Sequence, residues 1–157
     1  MKAYPSETPE LLPSQQPKNQ QEGSCAVDVA RTITLTQPYP VVVPRVREAL
    51  AGQGFGVLTE IDMTATMKQK RGTEIEDFVI LGACNPELAE RALDIDRRVG
   101  VLLPCNVAVR ATTDGNGTMV QMMNPQLLAA VTDNPALAPI ADEADRRLSA
   151  VLGALQQ

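Results

Sequence analysis

Two cysteines stand where the chain could give a thiol chemical work. Cys84 directly precedes Asn85-Pro86-Glu87. That triplet is a strong helix-start signal: Asn as N-cap, Pro at the first helical position and an acid in the first turn. A helix N-terminus favours negative charge, so Cys84 is expected to have a depressed pKa and a reactive thiolate. Cys105 follows Pro104 at the start of an expected strand. Two thiols brought together can ligate a soft metal such as Cu(I), form a redox disulfide or hold a persulfide. The competing reading is inert packing, because cysteine often behaves as a small buried hydrophobe. Cys105 has the inward parity of Val107 and Val109, which favours packing. The two cysteines are 21 positions apart, which is no CxxC-type signature.

Glu60 and Asp62 are the second candidate. Residues at i and i+2 of a strand share a face, so two carboxylates can stand side by side. Such a pair can raise one pKa for acid–base work or bind a hard cation. A solvated face is the plainer reading. Asn106 and Arg110 share the parity opposite to Val107, and Arg110 could hold an anionic ligand or pair with an acid. Lys68, Lys70 and Arg71 form a short basic run before Gly72, which reads as a solvated helix end. Met63, Met67, Met119, Met122 and Met123 offer thioethers. In a chain with so few aromatics they are expected to fill the core.

Composition removes whole classes of function. The 157 residues contain no histidine, which excludes Ser-His and Cys-His catalysis and His-ligated metals. The net charge of −5 argues against nucleic acid, whose phosphates demand clustered Lys and Arg. There is no Trp, and Tyr and Phe number two each, too few for a stacking platform. No Walker A, GxGxxG, GxSxG or zinc spacing is present. No apolar stretch reads as a secretory signal or a membrane span. Three cysteines, an odd number, suit a reducing compartment better than a disulfide framework, so the expected location is the cytoplasm.

The elements that must position these residues follow from periodicity. Residues 1–30 read as a flexible Pro/Gln-rich arm, with prolines at 5, 9, 13 and 17 and Cys25 near its end. Residues 31–157 read as a single domain. Thr32 to Thr36 alternate as a strand. Val43, Val46 and Leu50 make one helix face, with Pro44 in the first turn and Gly52 and Gly54 as the stop. Phe55, Val57, Thr59, Ile61 and Met63 alternate against Gly56, Leu58, Glu60 and Asp62 as a second strand. A short helix over 64–71 is closed by Gly72. Residues 78–83 form a continuous apolar strand whose two faces must both be covered, by helices or by a partner subunit. Leu88, Ala92, Ile95 and Val99 form the next helical stripe, ended by Gly100. Strands over 105–112 and 118–123 flank an Asp114-Gly115-Asn116-Gly117 turn. A short helical turn runs from Asn124-Pro125 to Val131. Asn134-Pro135 then opens a last helix with Ile140, Ala144, Leu148, Val151 and Leu155 buried. Asp142–Arg146 and Glu143–Arg147 are expected i,i+4 pairs on its wet side. The order is β-α-β-(α)-β-α-β-β-α. It indicates an α+β sandwich with a mainly antiparallel sheet and helices on one side.

Three segments, GFGVLTEIDM (54–63), ILGACNPELAERAL (80–93) and VGVLLPCNVAVR (99–110), resemble the family called domain of unknown function 302. The resemblance covers about residues 31–155. It implies a fold like that of the TATA-box-binding protein, β-α-β(4)-α with added helices, and a homodimer. It implies no DNA binding and carries no activity. The Pro-rich arm and Pro44 are departures from the family pattern.

Three functional expectations result. The first is a homodimeric, non-catalytic binding or accessory protein, pairing through the sheet or its exposed face. The second is a thiol-based redox, soft-metal or sulfur-handling protein that uses Cys84 and Cys105. The third is an enzyme built on Glu60 and Asp62. The cofactor is left unknown, and a small ligand or a soft metal ion is an open alternative as partner.

Overall fold

Hydrophobic periodicity switches between two and about 3.6 residues along the chain, and the structure switches with it. The computed structural model describes residues 27–157. The proposed arm lies outside the described residues except for 27–30, and Cys25 lies outside them too. The strands are β1 (Ala30–Leu35), β2 (Gly56–Asp62), β3 (Phe78–Cys84), β4 (Cys105–Ala111) and β5 (Thr118–Met123). The helices are α1 (Tyr39–Gly52), α2 (Met63–Arg71), α3 (Pro86–Ile95), α4 (Leu127–Thr132) and α5 (Ala138–Leu155). A 3-10 segment, Arg97–Leu102, joins α3 to β4.

The sheet runs in the order β1-β5-β4-β3-β2, and every neighbouring pair is antiparallel. With α2, α3 and α4 taken as additions, the order is the expected β-α-β(4)-α. One face of the sheet lies under α1 and α5. Val42, Val46 and Leu50 of α1 pack with Leu148, Val151, Leu152 and Leu155 of α5 against Val79, Leu81, Val107, Val109, Val120 and Met122. Full burial of each such side chain contributes about 1.5–3 kcal/mol. Arg31 clamps β1 to α5 with two hydrogen bonds, at 2.5 and 2.8 Å, to the Asp145 carboxylate. A second apolar cluster joins Leu88 and Ala92 of α3, Val99, Leu128 of α4, Leu137, and Ile140 and Ala144 of α5.

Four local expectations are corrected. First, α1 begins at Tyr39 rather than near Pro44, because Pro38 is extended and Pro40 enters the first turn, where a missing N–H costs nothing. Pro44 therefore sits inside the helix, and the buried stripe starts at Val42 instead of Val43. Second, α3 stops at Ile95. Asp96 then caps the 3-10 segment by accepting from Arg98 N at 2.9 Å, so Val99 is buried from that segment and Ile95 is left exposed.

Third, β2 does not alternate evenly. Its pairing with β3 shifts between Val57 and Thr59. One extra residue in a bulge inverts the facing of the residues after it. Val57 thus shares the helix side with Glu60 and Asp62, while Thr59 and Ile61 turn to the open face. Met63 opens α2 instead of ending the strand. Fourth, Glu143 does pair with Arg147, at 2.5 Å, but Asp142 accepts from Gln126 instead of pairing with Arg146.

Candidate functional site

At the end of the sheet where β3 runs into α3, a cavity of about 20 Å³ opens between the sheet and the second apolar cluster. Cys84 and Cys105 both line it, with Phe55, Leu88, Leu103, Leu128 and Ile140 among its apolar walls. Register explains the meeting. Cys105 opens β4 directly opposite Ala83, and Cys84 is the next residue of β3. An opposed pair lies about 4.5–5.5 Å apart and each residue rises about 3.3 Å, so the two Cα atoms are roughly 6 Å apart.

The sequence start signal after Cys84 is real. Asn85 is buried, and its Oδ1 accepts from Leu88 N at 3.1 Å to cap α3. The backbone at Gly54 passes close by, with φ +80, and a Cβ there would meet Asn85 Nδ2 at 2.9 Å. The expected thiol acidity is not found. Burial raises the Cys84 thiol above its ordinary value. Burial pushes Cys105 up to about 11, and the neighbouring Cys84 adds to that rise. Removal from water penalises the thiolate. Both cysteines are free thiols, Cys84 half-buried and Cys105 only 7% exposed. Both shifts favour the protonated thiol.

Glu60 and Asp62 do share a face, as their spacing requires, and both are exposed. Each already has a partner. Glu60 is ion-paired with Arg47 of α1. Asp62 is the N-cap of α2 and accepts from Ala65 N at 2.8 Å. The Tyr39 phenol is raised by burial and then by the charges of Asp77, Asp62 and Glu60.

Arg110 and Asn106 lie on the open face, opposite in parity to Val107. The Arg110 guanidinium contacts Glu76 at 3.4 Å and donates to the Met119 sulfur at 3.0 Å. Asn106 is exposed and lies beside Gly82 in the register. Lys68, Lys70 and Arg71 occupy the last turn of α2, where cations complement the helix dipole. Met122 is core, while Met119 and Met123 are half-buried on the open face.

Cys84 and Cys105 thus line one cavity from adjacent register positions of opposite parity, Glu60 and Asp62 share the helix side of the sheet, and Arg110 lies on the open face. Sequence reasoning missed the apolar wall of the cavity. Its residues come from β3, β4, α3, α4, α5 and the loops between them. Their only sequence signal is burial periodicity, which does not say which elements meet. Among the described residues no helix is long and apolar enough to cross a membrane.

No curated protein sequence matches the chain. A solved structure does: the uncharacterized conserved protein DUF302 from Bacillus stearothermophilus is 31% identical. The match covers 82% of this chain and 98% of that one, with a TM-score of 0.74. The family model for Domain of unknown function DUF302 matches residues 31–155, which take in all five strands but the first residue of β1, all five helices and the thiol-lined cavity. The chain therefore belongs to the domain of unknown function 302 family.

Proposed function

We propose that the protein is a non-catalytic binding or accessory module that works as a homodimer, with two copies joined through the open faces of their sheets. One observation carries this reading. Among the open-face positions of the five strands, Arg110 is the only charged residue, and Glu76 already pairs with it. Ile61, Phe78, Ile80, Ala108, Met119 and Met123 lie on that face among the uncharged polar Thr32, Thr34, Thr59, Asn106 and Gln121, with Ile61 47% exposed. A sheet face that stays in water normally alternates to polar residues. The face spans about 24 Å across the strands and about 20 Å along them.

A second copy is the occupant that suits this face. With one neutralised charge it offers no field to select a charged partner, and two copies of one nearly uncharged face can meet across a two-fold axis. The net charge of −5 keeps nucleic acid away. The chemistry of a catalyst has little support: histidine is absent, both strand carboxylates are engaged and the thiols are protonated. Free thiols suit work in a reducing cytoplasm.

Sedimentation equilibrium of the full chain at micromolar concentration tests the reading. The expected mass is that of two chains. Ile80→Arg and Met119→Glu should each shift it to one chain with unchanged far-UV circular dichroism. A monomeric native chain, or a dimer that survives both folded variants, overturns it.

A further inference from the structure

We propose that the outer edge of β1 takes an extended peptide segment as an added strand, with alternate peptide side chains resting in the groove between β1 and α5 and a basic residue beside Asp28. This goes beyond the dimeric reading and does not depend on it, because it uses the rim of the sheet and not its open face.

β1 is an edge strand, and register shows which of its backbone groups are free. Asn124 N donates to Val29 O at 2.9 Å, and Val29 opposes Asn124 one step before the Ala30–Met123 pair. Opposed residues of antiparallel strands alternate between bonded and unbonded pairs. Arg31, Ile33 and Leu35 therefore bond to β5, while Ala30, Thr32 and Thr34 turn their N–H and C=O groups outward. Among the described residues no strand pairs with that row. Such a row matches the backbone of an extended peptide. The opposite rim is unsuited to pairing. β2 is interrupted by its bulge and carries Glu60 and Asp62, features that blunt an edge. β1 has an unbroken register, and its one charged residue, Arg31, is held by Asp145.

A groove of about 510 Å³ runs along the β1 rim, walled by Arg31 and Ile33 on one side and by Ser149, Leu152 and Gly153 of α5 on the other. A Cβ added to Gly153 would meet nothing within 4 Å, so packing within the described chain does not call for glycine at this helical position. The open width there suits a short apolar side chain from every second peptide position. Charge then selects among peptides. Asp28 lines the same groove and has no ion-pair partner among the described residues, whereas Arg31 and Asp145 offset each other. With a net charge of −5 on the chain, the groove and the overall field both favour Lys or Arg.

Amide hydrogen exchange of the full chain tests the site, with and without a terminally blocked peptide of alternating Val and Thr that carries one Lys. The Thr32 and Thr34 amides should exchange freely in the chain alone and slow about tenfold or more at saturating peptide. Thr32→Pro removes an outward N–H that β5 does not use, so it should keep the fold and weaken the peptide about tenfold. Gly153→Leu should also keep the fold and abolish binding by filling the groove. Circular dichroism checks both variants. A peptide that leaves Thr32 and Thr34 unprotected overturns the site, as does binding unchanged in a folded Gly153→Leu chain. Equal affinity for a peptide with Glu in place of Lys overturns the basic selection. Protection already present without peptide also overturns the proposal: if it rises with protein concentration a second copy holds the edge, and if it does not, a segment of this chain does. Sedimentation of the open-face variants reads a different surface, so the two proposals fail separately.

Discussion

Gly82 on β3 lies under Thr59 on the neighbouring β2, and a methyl group added to Gly82 would collide with the Thr59 hydroxyl and reach 2.8 Å from Pro104 Cγ. The bulge between Val57 and Thr59 creates this contact, because it turns Thr59 onto the open face. Gly82→Ala should therefore cost about 1–3 kcal/mol of stability in urea unfolding. Adding Thr59→Gly should recover part of the loss, whereas the rigid Pro104 ring should keep the rest. Full tolerance of Gly82→Ala would contradict the close packing.

The one-residue shift of the α1 stripe has its own test. Val42 is fully buried and Val43 only half-buried. Val42→Ala removes two core methyl groups and should cost about 2 kcal/mol, with Val43→Ala costing less than about 1. Equal losses in chemical denaturation would contradict the placement of Val42 in the core.

Asn85 caps α3 from a buried position next to the thiols. Asn85→Ala should cost about 1–2 kcal/mol, since the Leu88 N–H loses its acceptor. Asn85→Asp keeps the acceptor but brings a charge into a mostly apolar wall, and should recover only part of that loss. A thermal melt of both variants distinguishes the cap from simple volume.

Alkaline pH should weaken the fold through Cys105. Its thiol titrates at about 11 in the folded protein against an ordinary value of 9.0. Folding thus favours the protonated form, so stability is full below about pH 9 and falls as pH rises toward 11. Two pH units correspond to about 3 kcal/mol. Denaturation midpoints should drop more steeply over this range in the native chain than in Cys105→Ala. Parallel slopes would remove the thiol as the cause.

Acid pH acts through Asp96. Its hydrogen bonds to the Arg98 side chain and backbone hold its carboxyl down at about 2, against an ordinary 3.8. The ionised form is favoured by folding, so this contribution is complete above the ordinary value and is lost as pH falls toward 2. Asp96→Asn should flatten the acid unfolding curve between about pH 4 and pH 2. An unchanged slope would show that the cap contributes nothing there.

The elements were legible from local physics. Asn85-Pro86-Glu87 opened a helix because its N-cap and proline need only the residues beside them. The hairpin around Gly115, with φ +71, likewise needed no tertiary partner. The inward parity of Cys105, Val107 and Val109 held because β4 has neighbours on both sides and no irregularity in its register. Edge strand β2 lacks that constraint, and there the even alternation failed at Leu58.

By itself the sequence determined the order β-α-β(4)-α, the family, the absence of imidazole chemistry and the pairing of Glu60 with Asp62 on one face. These depend on residue identity and on contacts within a few positions. Tertiary structure alone decided that Cys84 and Cys105 share a cavity, that Glu60 and Asp62 are taken by Arg47 and the α2 cap, and that both thiols stay protonated. Strand register and desolvation control those outcomes. Both depend on groups far apart in the chain, and burial raises the Cys84 thiol although its neighbours announce a helix start.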